Sequence, residues 1–455
     1  MFRHFERIID PFASQRLDQP PTGLLAFYAR FIGQARGPVV VSLVAGGLLA
    51  VLNALVFVFV GDIVDRLEAA STPAAFFAEN AQFIAMIAVL LLVVDPLLAF
   101  ITLGALNQAL VPGFTNLIRW QMHRYVLRQS VSYFQNDFAG RLANKVMQTS
   151  LAVRRSINEL IDAIWHALIF VITTFVVLLE ADWRLALPLA AWFVGYVVLL
   201  RIYVPRIKQY SEEQSETYSN LMGRVVDSYS NILTVKLFGN AAREDAFARE
   251  GMTRHQRQVA DLMRQISWLD VSIGIWNMVM VFAVGWIAIT LWSVGDLTVG
   301  VVATALALAL RVNQMSFWIM FVTTSVAENI GVVRDGIDTI SVPQEVVDTP
   351  DAGTLAVPRG EIRLDAVSFH YGQVRGEKGA VIDDLSLTIR PGERVGLVGR
   401  SGAGKSTLVQ LLLRLHDVEG GRILIDGTDI AGVRQESLRE QIGMVTQDTS
   451  LLHRS

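Results

Sequence analysis

Apolar positions along this chain gather into long runs instead of the broken spacing of a surface helix. Six runs are long enough to cross a hydrocarbon layer of about 30 Å, which takes about 20 helical residues. They cover residues 38–60, 83–106, 161–179, 185–204, 271–294 and 298–324. The first and fifth carry no charge, and the second only Asp95. A backbone in lipid must satisfy its own N–H and C=O groups, so each run is predicted to be a transmembrane helix. The third and fourth are separated only by EADWR, which predicts a tight helical hairpin.

Polar residues between the runs set the topology. The connection between runs two and three holds Arg119, Arg124, Arg128, Arg141 and Lys145, and that between four and five holds Arg206, Lys208, Arg224, Lys236 and Arg243. The first outer connection has Arg66 against Asp62, Asp65, Glu68 and Glu79, and the last, around Gly295, has no basic residue. Basic residues collect on the cytosolic side, so both long connections and both termini are predicted to lie there. The two inner segments keep helical periodicity with alternating charge, as in RIKQYSEEQSETYSNLMGRVVDSYS. Spans two to five are therefore predicted to run on as helices, roughly 25 residues out and 25 back, or about 40 Å.

The remaining segments give the domain plan. In residues 1–37, GLLAFYARFI places Leu24, Leu25, Tyr28, Phe31 and Ile32 on one helical face, suiting a short elbow helix in the cytosolic interface; a loose apolar linker is the alternative. Residues 38–340 form the six-helix membrane domain. Residues 341–359, with Pro343, Pro350 and Pro358 among acids, read as an extended linker. From residue 360 a soluble domain begins: EIRLDAVSFHY, AVIDDLSLTI and RILIDG alternate as strands do.

Composition supports the membrane assignment, with 52% hydrophobic and 18% charged residues and a mean hydropathy of +0.42. A net charge of −3 gives no reason to expect nucleic acid as a partner. The absence of Cys excludes disulfides, thiolate metal sites and cysteine nucleophiles. The opening MFRHFERIIDPFASQRLDQPP lacks the build of a cleavable signal, so no processing is expected. Basic residues are 34 Arg to 5 Lys, a bias that suggests a GC-rich bacterial genome and hence a bacterial plasma (inner) membrane.

One stretch carries chemistry. RVGLVG at 394–399 is predicted to be a strand entering a glycine-rich turn, and STLVQLLLRL the helix beyond it. Between them GRSGAGKST fits G-x-x-x-x-G-K-[ST], the phosphate loop also called Walker A. Gly399, Gly402 and Gly404 let the backbone curl so that successive N–H groups and the helix N-terminus converge on phosphate oxygens. Lys405 is expected to neutralise the β and γ phosphates, and the Ser406 hydroxyl to bind Mg2+. Arg400, Ser401, Ala403 and Thr407 complete the loop. The expected ligands are ATP and Mg2+.

The chain as a whole resembles the ATP-binding cassette exporters, in which a six-helix membrane domain is fused to a nucleotide-binding domain. The resemblance rests on the order of the parts and on SYFQNDFAGRLANKV, DSYSNILTVKLFGNAARE, VSFHYG, GRSGAGKST, GRILIDGTDI and GMVTQD. It implies a six-span α-helical membrane domain with long cytosolic helical extensions, followed by an incomplete α/β P-loop domain. It implies that Tyr371 stacks on adenine, that Gln447 approaches Mg2+, and that residues near 131–140 and 226–238 are coupling helices. No catalytic residue is assigned beyond Gln447. By the same resemblance the signature loop, the catalytic glutamate and the switch histidine are missing, and Asp426 and Asp448 do not replace them. The sequence is thus expected to be a fragment of a full exporter, and by itself not to hydrolyse ATP.

For the complete protein the resemblance implies alternating access by a dimer with a second half-transporter, alike or different, exporting a hydrophobic or amphipathic substrate. An ATP-gated channel and a non-transporting membrane sensor are the alternatives. Met278, Met280, Met315, Met320, Trp276, Phe317 and Trp318 suit such a substrate, though they equally suit plain packing. Asp95 and Arg311 are the ionisable residues deep in spans two and six. Both lie about 18–20 Å from the outer ends of their runs, so they are expected to interact, directly or across the dimer, in one of the two access states; the alternatives are that Asp95 marks a water-lined kink before Pro96 and that Arg311 contacts substrate alone.

Overall fold

The computed structural model describes residues 2–13, 18–135, 139–238, 241–371 and 381–445. Six helices long and apolar enough to span a membrane follow one another: Arg36–Ala69, Pro73–Val126, Gly140–Ala181, Trp183–Ser230, Arg243–Ser293 and Val299–Ile340, here spans 1 to 6. At about 1.5 Å per residue span 4 is about 70 Å long, more than twice the hydrocarbon thickness, so the helix runs well past its apolar stretch. Spans 3 and 4 meet at Asp182 alone, whose extended backbone breaks the helix and whose carboxylate accepts the Arg184 N–H at 2.7 Å. The chain divides into two compact units.

The first unit comprises Met1–Asp10, Ile32–Thr115 and Ala152–Gly331. Its core gathers Ala50, Phe170, Leu185, Trp192, Ile273, Val284 and Leu308 from five spans. Small residues allow close approach: a Cβ on Gly61 or on Gly300 would strike the carbonyl oxygen of the other. Asp65 then caps span 6, accepting from the Thr298 hydroxyl and the Gly300 N–H, each at 2.6 Å, which places an anion at the positive end of that helix. Deeper in the bundle, the Trp192 indole donates to Asn277 Oδ1 at 2.7 Å and Asn277 Nδ2 donates to Ser316 Oγ at 2.5 Å, joining spans 4, 5 and 6 where no water competes.

Spans 2 and 3 depart from regular α-helix. Span 2 widens into π turns at Leu90–Val94 and Gly104–Phe114, and span 3 at Leu160–Trp165. In span 2 the cause is local. Pro96 and Pro112 lack an N–H and crowd the preceding turn, and widening relieves both defects. The helix Phe2–Glu6 packs on the second π turn, its Phe5 ring 2.8 Å from where a Cβ on Gly104 would stand. A short helix, Ile232–Phe238, follows span 4.

The second unit comprises Pro11–Phe31, Asn116–Leu151 and Val332–Ser455. The helix Leu24–Ile32 begins there, with Phe27 and Phe31 buried one turn apart and Leu25 83% exposed, nearly opposite Phe27 at 100° per residue. Span 2 is followed by the five-residue helix Val131–Gln135.

The soluble part of this unit is built on an antiparallel sheet. β1 (Ile362–Phe369) lies between β2 (Ile382–Ile389) and β3 (Gly420–Ile425), with β4 (Thr428–Asp429) beyond β3. A register shift after Leu364, with Ala366 at φ 49°, lets Leu364 and Val367 face the same core although three residues apart. The helix Lys405–Leu412 adds Leu408 and Leu411 to that core. One expected strand does not form. RVGLVG at 394–399 has no strand pairing, and Val398 is 99% exposed. Strand composition needs a neighbouring ladder to become a strand, and among the described residues none flanks this segment.

Candidate functional site: the phosphate loop and its supports

The loop closes on its own lysine. Lys405 Nζ donates to the carbonyls of Gly399 and Arg400, both at 2.8 Å, and Ala403 N–H returns to the Arg400 carbonyl at 3.2 Å. Gly402 and Gly404 take φ of +84° and +81°, which side chains disfavour. Gly404 is the N-cap of the helix Lys405–Leu412, and no side chain caps it. The first N–H groups of that helix have no intrahelical partner, and they sit at its positive end. An ammonium on two carbonyls and a turn of uncapped N–H groups match the phosphates of ATP. Ser401 and Ser406 are exposed beside them, and Thr407 is buried.

Tyr371 reaches the same helix. Its hydroxyl donates to Gln410 Oε1 at 2.9 Å and lies 3.1 Å from Thr407 Oγ1, while the residue is 43% exposed and its ring makes T-shaped contacts with Phe369 and His416. The sheet end and the phosphate helix are thus joined through one phenol. Gln447 lies outside the described residues, as does Asp448. Among the described residues no group of three or more His, Asp or Glu is arranged to hold a metal ion; oxygen donors available here are hydroxyls such as Ser406.

Asp426 is structural. Its carboxylate accepts the N–H groups of Arg359, Gly360 and Glu361 at 2.8, 3.0 and 2.9 Å, and these bonds hold its carboxyl below the usual range. Sequence reasoning missed a larger anchor. Arg414, with only 4% of its side chain exposed, donates to the carbonyls of Val433 and Val347 at 2.8 and 3.2 Å and meets Asp417 at 2.9 Å and Asp348 at 3.5 Å. Asp348 also accepts from Gln435. The segment before the domain is thereby fastened to the end of the phosphate helix. The only advance signal was an arginine inside the otherwise apolar run LLLRL.

A second fastening joins the same segment to the first inner turn. Glu345 accepts from the Ser130 hydroxyl at 2.7 Å and from Ser132, and these bonds hold its carboxyl below the usual range. Tyr125 and Gln129 both donate to the Val342 carbonyl, at 2.7 and 2.8 Å.

Asp95 and Arg311 are not brought together. Among the described residues no ion pair joins them, and Arg311 makes a long hydrogen bond, 3.3 Å, to Gln314 Oε1. Asp95 instead starts the α-helical turn after the first π segment, ahead of Pro96. Of the seven methionine and aromatic positions, Met280 is packed in the core, and Met315 and Trp318 line a cavity.

Comparison with known proteins supplies the family. Residues 39–317 match the ABC transporter transmembrane region and residues 382–455 match the ABC transporter domain. An uncharacterized ABC transporter ATP-binding protein of Haemophilus influenzae is 39% identical over 455 residues, all of this chain and 73% of that protein. An ATM1-type heavy metal exporter of Novosphingobium aromaticivorans is 31% identical over 325 residues, 69% of this chain and 52% of that protein, so the chain matches only about half the length of this relative. In fold, the chain is similar to a solved bacterial Atm1-family ABC exporter with ATP bound, with a TM-score of 0.71 at 24% identity over 92% of this chain and 72% of that one. The chain belongs to the ABC transporter family, as a six-span membrane region and an ATP-binding region carried on one polypeptide.

Proposed function

We propose that the complete transporter holds ATP and Mg2+ at residues 399–407 and uses them to export a hydrophobic or amphipathic molecule by alternating access. Two half-transporters form the working dimer, in a bacterial plasma membrane with both termini in the cytosol. The observation that carries this reading is the union, on one chain, of six apolar helices with a lysine-closed phosphate loop.

Each residue has a part. Lys405 exchanges its two carbonyl partners for phosphate oxygens, a charge-assisted contact stronger than the one it leaves. Gly402 and Gly404 keep the backbone free of side chains on the phosphate side. Ser406 would offer its hydroxyl to Mg2+, whose charge would offset that of the phosphates. Tyr371 presents its ring to the base, and Gln447 completes the metal contact. The Arg414–Asp348 and Glu345–Ser130 fastenings carry movement of the phosphate helix toward the inner turn at Val131–Gln135.

The substrate class rests on the cavities of the bundle. One of about 400 Å³ lies among spans 4, 5 and 6 and has mostly apolar walls, including Leu200, Val204, Leu269 and Met320. Adaptable apolar walls accept varied apolar shapes. The test is ATPase of the full-length protein in liposomes, with a panel of amphiphiles, sugars and inorganic cations added in turn. Amphiphiles are expected to stimulate turnover and to compete with one another, while sugars and inorganic cations do neither. Turnover indifferent to every amphiphile contradicts the proposed substrate class.

A further inference from the structure

A chamber of about 340 Å³ with a mixed polar and apolar wall opens in the membrane bundle, with Thr102, Asp162, His166, Arg311, Met315 and Trp318 in that wall. Arg311 stands about 18 Å along span 6 from Val299, near the middle of a hydrocarbon layer of about 30 Å. A guanidinium at that depth persists only where it faces a cavity or meets an anion. Among the described residues no carboxylate lies within ion-pair distance of it. Asp162 and His166 stand one turn apart on span 3 and share the chamber, and among the described residues no hydrogen bond or ion pair joins Asp162 to Arg311.

Two independent features mark the chamber as built to bind. Thr102 is 6% exposed, lines the chamber, and its hydroxyl oxygen has no hydrogen-bond partner among the described residues. Buried hydroxyls are nearly always satisfied, so this one awaits a partner. Span 3 also widens into its π turn at Leu160–Trp165, which sets Asp162 and His166 on the chamber, and π turns concentrate at functional sites. The Trp165 indole donates to the Leu43 carbonyl at 2.8 Å and holds that turn against span 1. Met315 and Trp318, four and seven residues after Arg311, put apolar surface beside the charge.

We propose that this chamber binds the head of the transported molecule, and that the head is anionic: a phosphate or carboxylate on an apolar body. The Arg311 guanidinium takes two oxygens of the head through its planar fork, the Thr102 hydroxyl donates to a third acceptor, and Met315 and Trp318 carry the adjoining apolar segment. The proposal rests on the export reading above but names its own residues and ligand chemistry. Such a head could belong to a lipid of the membrane or to an amphiphile arriving from the cytosol.

The test is equilibrium binding of radiolabelled dodecyl phosphate to the nucleotide-free, full-length protein in phosphatidylcholine nanodiscs, with dodecyltrimethylammonium and dodecyl maltoside as matched cationic and neutral probes. No ATP is present, so failure of ATP-driven export would leave this measurement intact. Dodecyl phosphate is expected to bind about tenfold or more tightly than either probe. Arg311→Gln should erase that preference and Arg311→Lys restore it in part, because a lysine keeps the charge without the fork. Asp162→Asn should tighten dodecyl phosphate binding by removing a like charge, an outcome that loss of folding cannot mimic. Phosphatidylglycerol in the nanodiscs either competes, which assigns the head to a lipid, or does not, which assigns it to a soluble amphiphile; both support the anionic site. Equal binding of the three probes, or a preference unchanged in Arg311→Gln, overturns it.

Discussion

Replacing Lys405 by alanine in the full-length transporter is expected to reduce ATPase activity at least about a hundredfold while leaving membrane insertion unchanged. The side chain belongs to no core cluster and makes its two described bonds to the loop carbonyls of Gly399 and Arg400. Its removal therefore leaves the six spans and the sheet as they are. What disappears is the positive charge at the mouth of an uncapped helix, where the terminal phosphates of ATP gather negative charge during transfer. Electrostatic stabilisation of that kind is commonly worth about two to three powers of ten per donor. Turnover in liposomes, with the yield of membrane-inserted protein as control, checks the result. Wild-type turnover in Lys405→Ala would show that nucleotide is processed elsewhere.

The second large effect concerns stability. Arg414→Met should destabilise the nucleotide-binding part by about 2–4 kcal/mol, because methionine fills much of the volume but leaves the carbonyls of Val347 and Val433 without their arginine donor and removes the cation between Asp348 and Asp417. Asp348 and Asp417 are partly exposed, so most of the loss comes from the buried Val433 carbonyl rather than from the ion pairs. At about 2–4 °C per kcal/mol, thermal unfolding should fall by roughly 5–15 °C. Proteolysis near residues 341–360 should rise with it, since the segment loses its fastening to the phosphate helix. An unchanged unfolding temperature would mean that the anchor is redundant.

These two residues also show what the sequence could and could not reveal. Lys405 was legible because the phosphate loop needs particular residue types at fixed spacing. The six spans were legible because lipid demands unbroken apolar length. Arg414 was not, because its partners are backbone carbonyls, which have no sequence signature. Pairing is likewise set by distant segments: RVGLVG has strand composition but no flanking strand among the described residues. The π turns explain the remaining difference. Within one chain Asp95 of span 2 does not meet Arg311, and the widened turn of span 3 places Asp162 and His166 in the chamber that Arg311 lines. A signal was available there: an acid and a histidine four residues apart at the start of an apolar run.

The fastenings at Arg414 and Glu345 give the export proposal its mechanical content, since they connect the phosphate helix, through the segment after span 6, to the inner turn after span 2. Transport itself is the direct test. Inside-out vesicles carrying the full-length protein expose the phosphate loop to the bath, so labelled amphiphile should accumulate inside above the bath concentration when ATP and Mg2+ are supplied. Accumulation should be absent with a non-hydrolysable ATP analogue and absent in Lys405→Ala. Equilibration to the bath concentration alone, reached equally with the analogue, would contradict ATP-driven export and identify an ATP-gated channel.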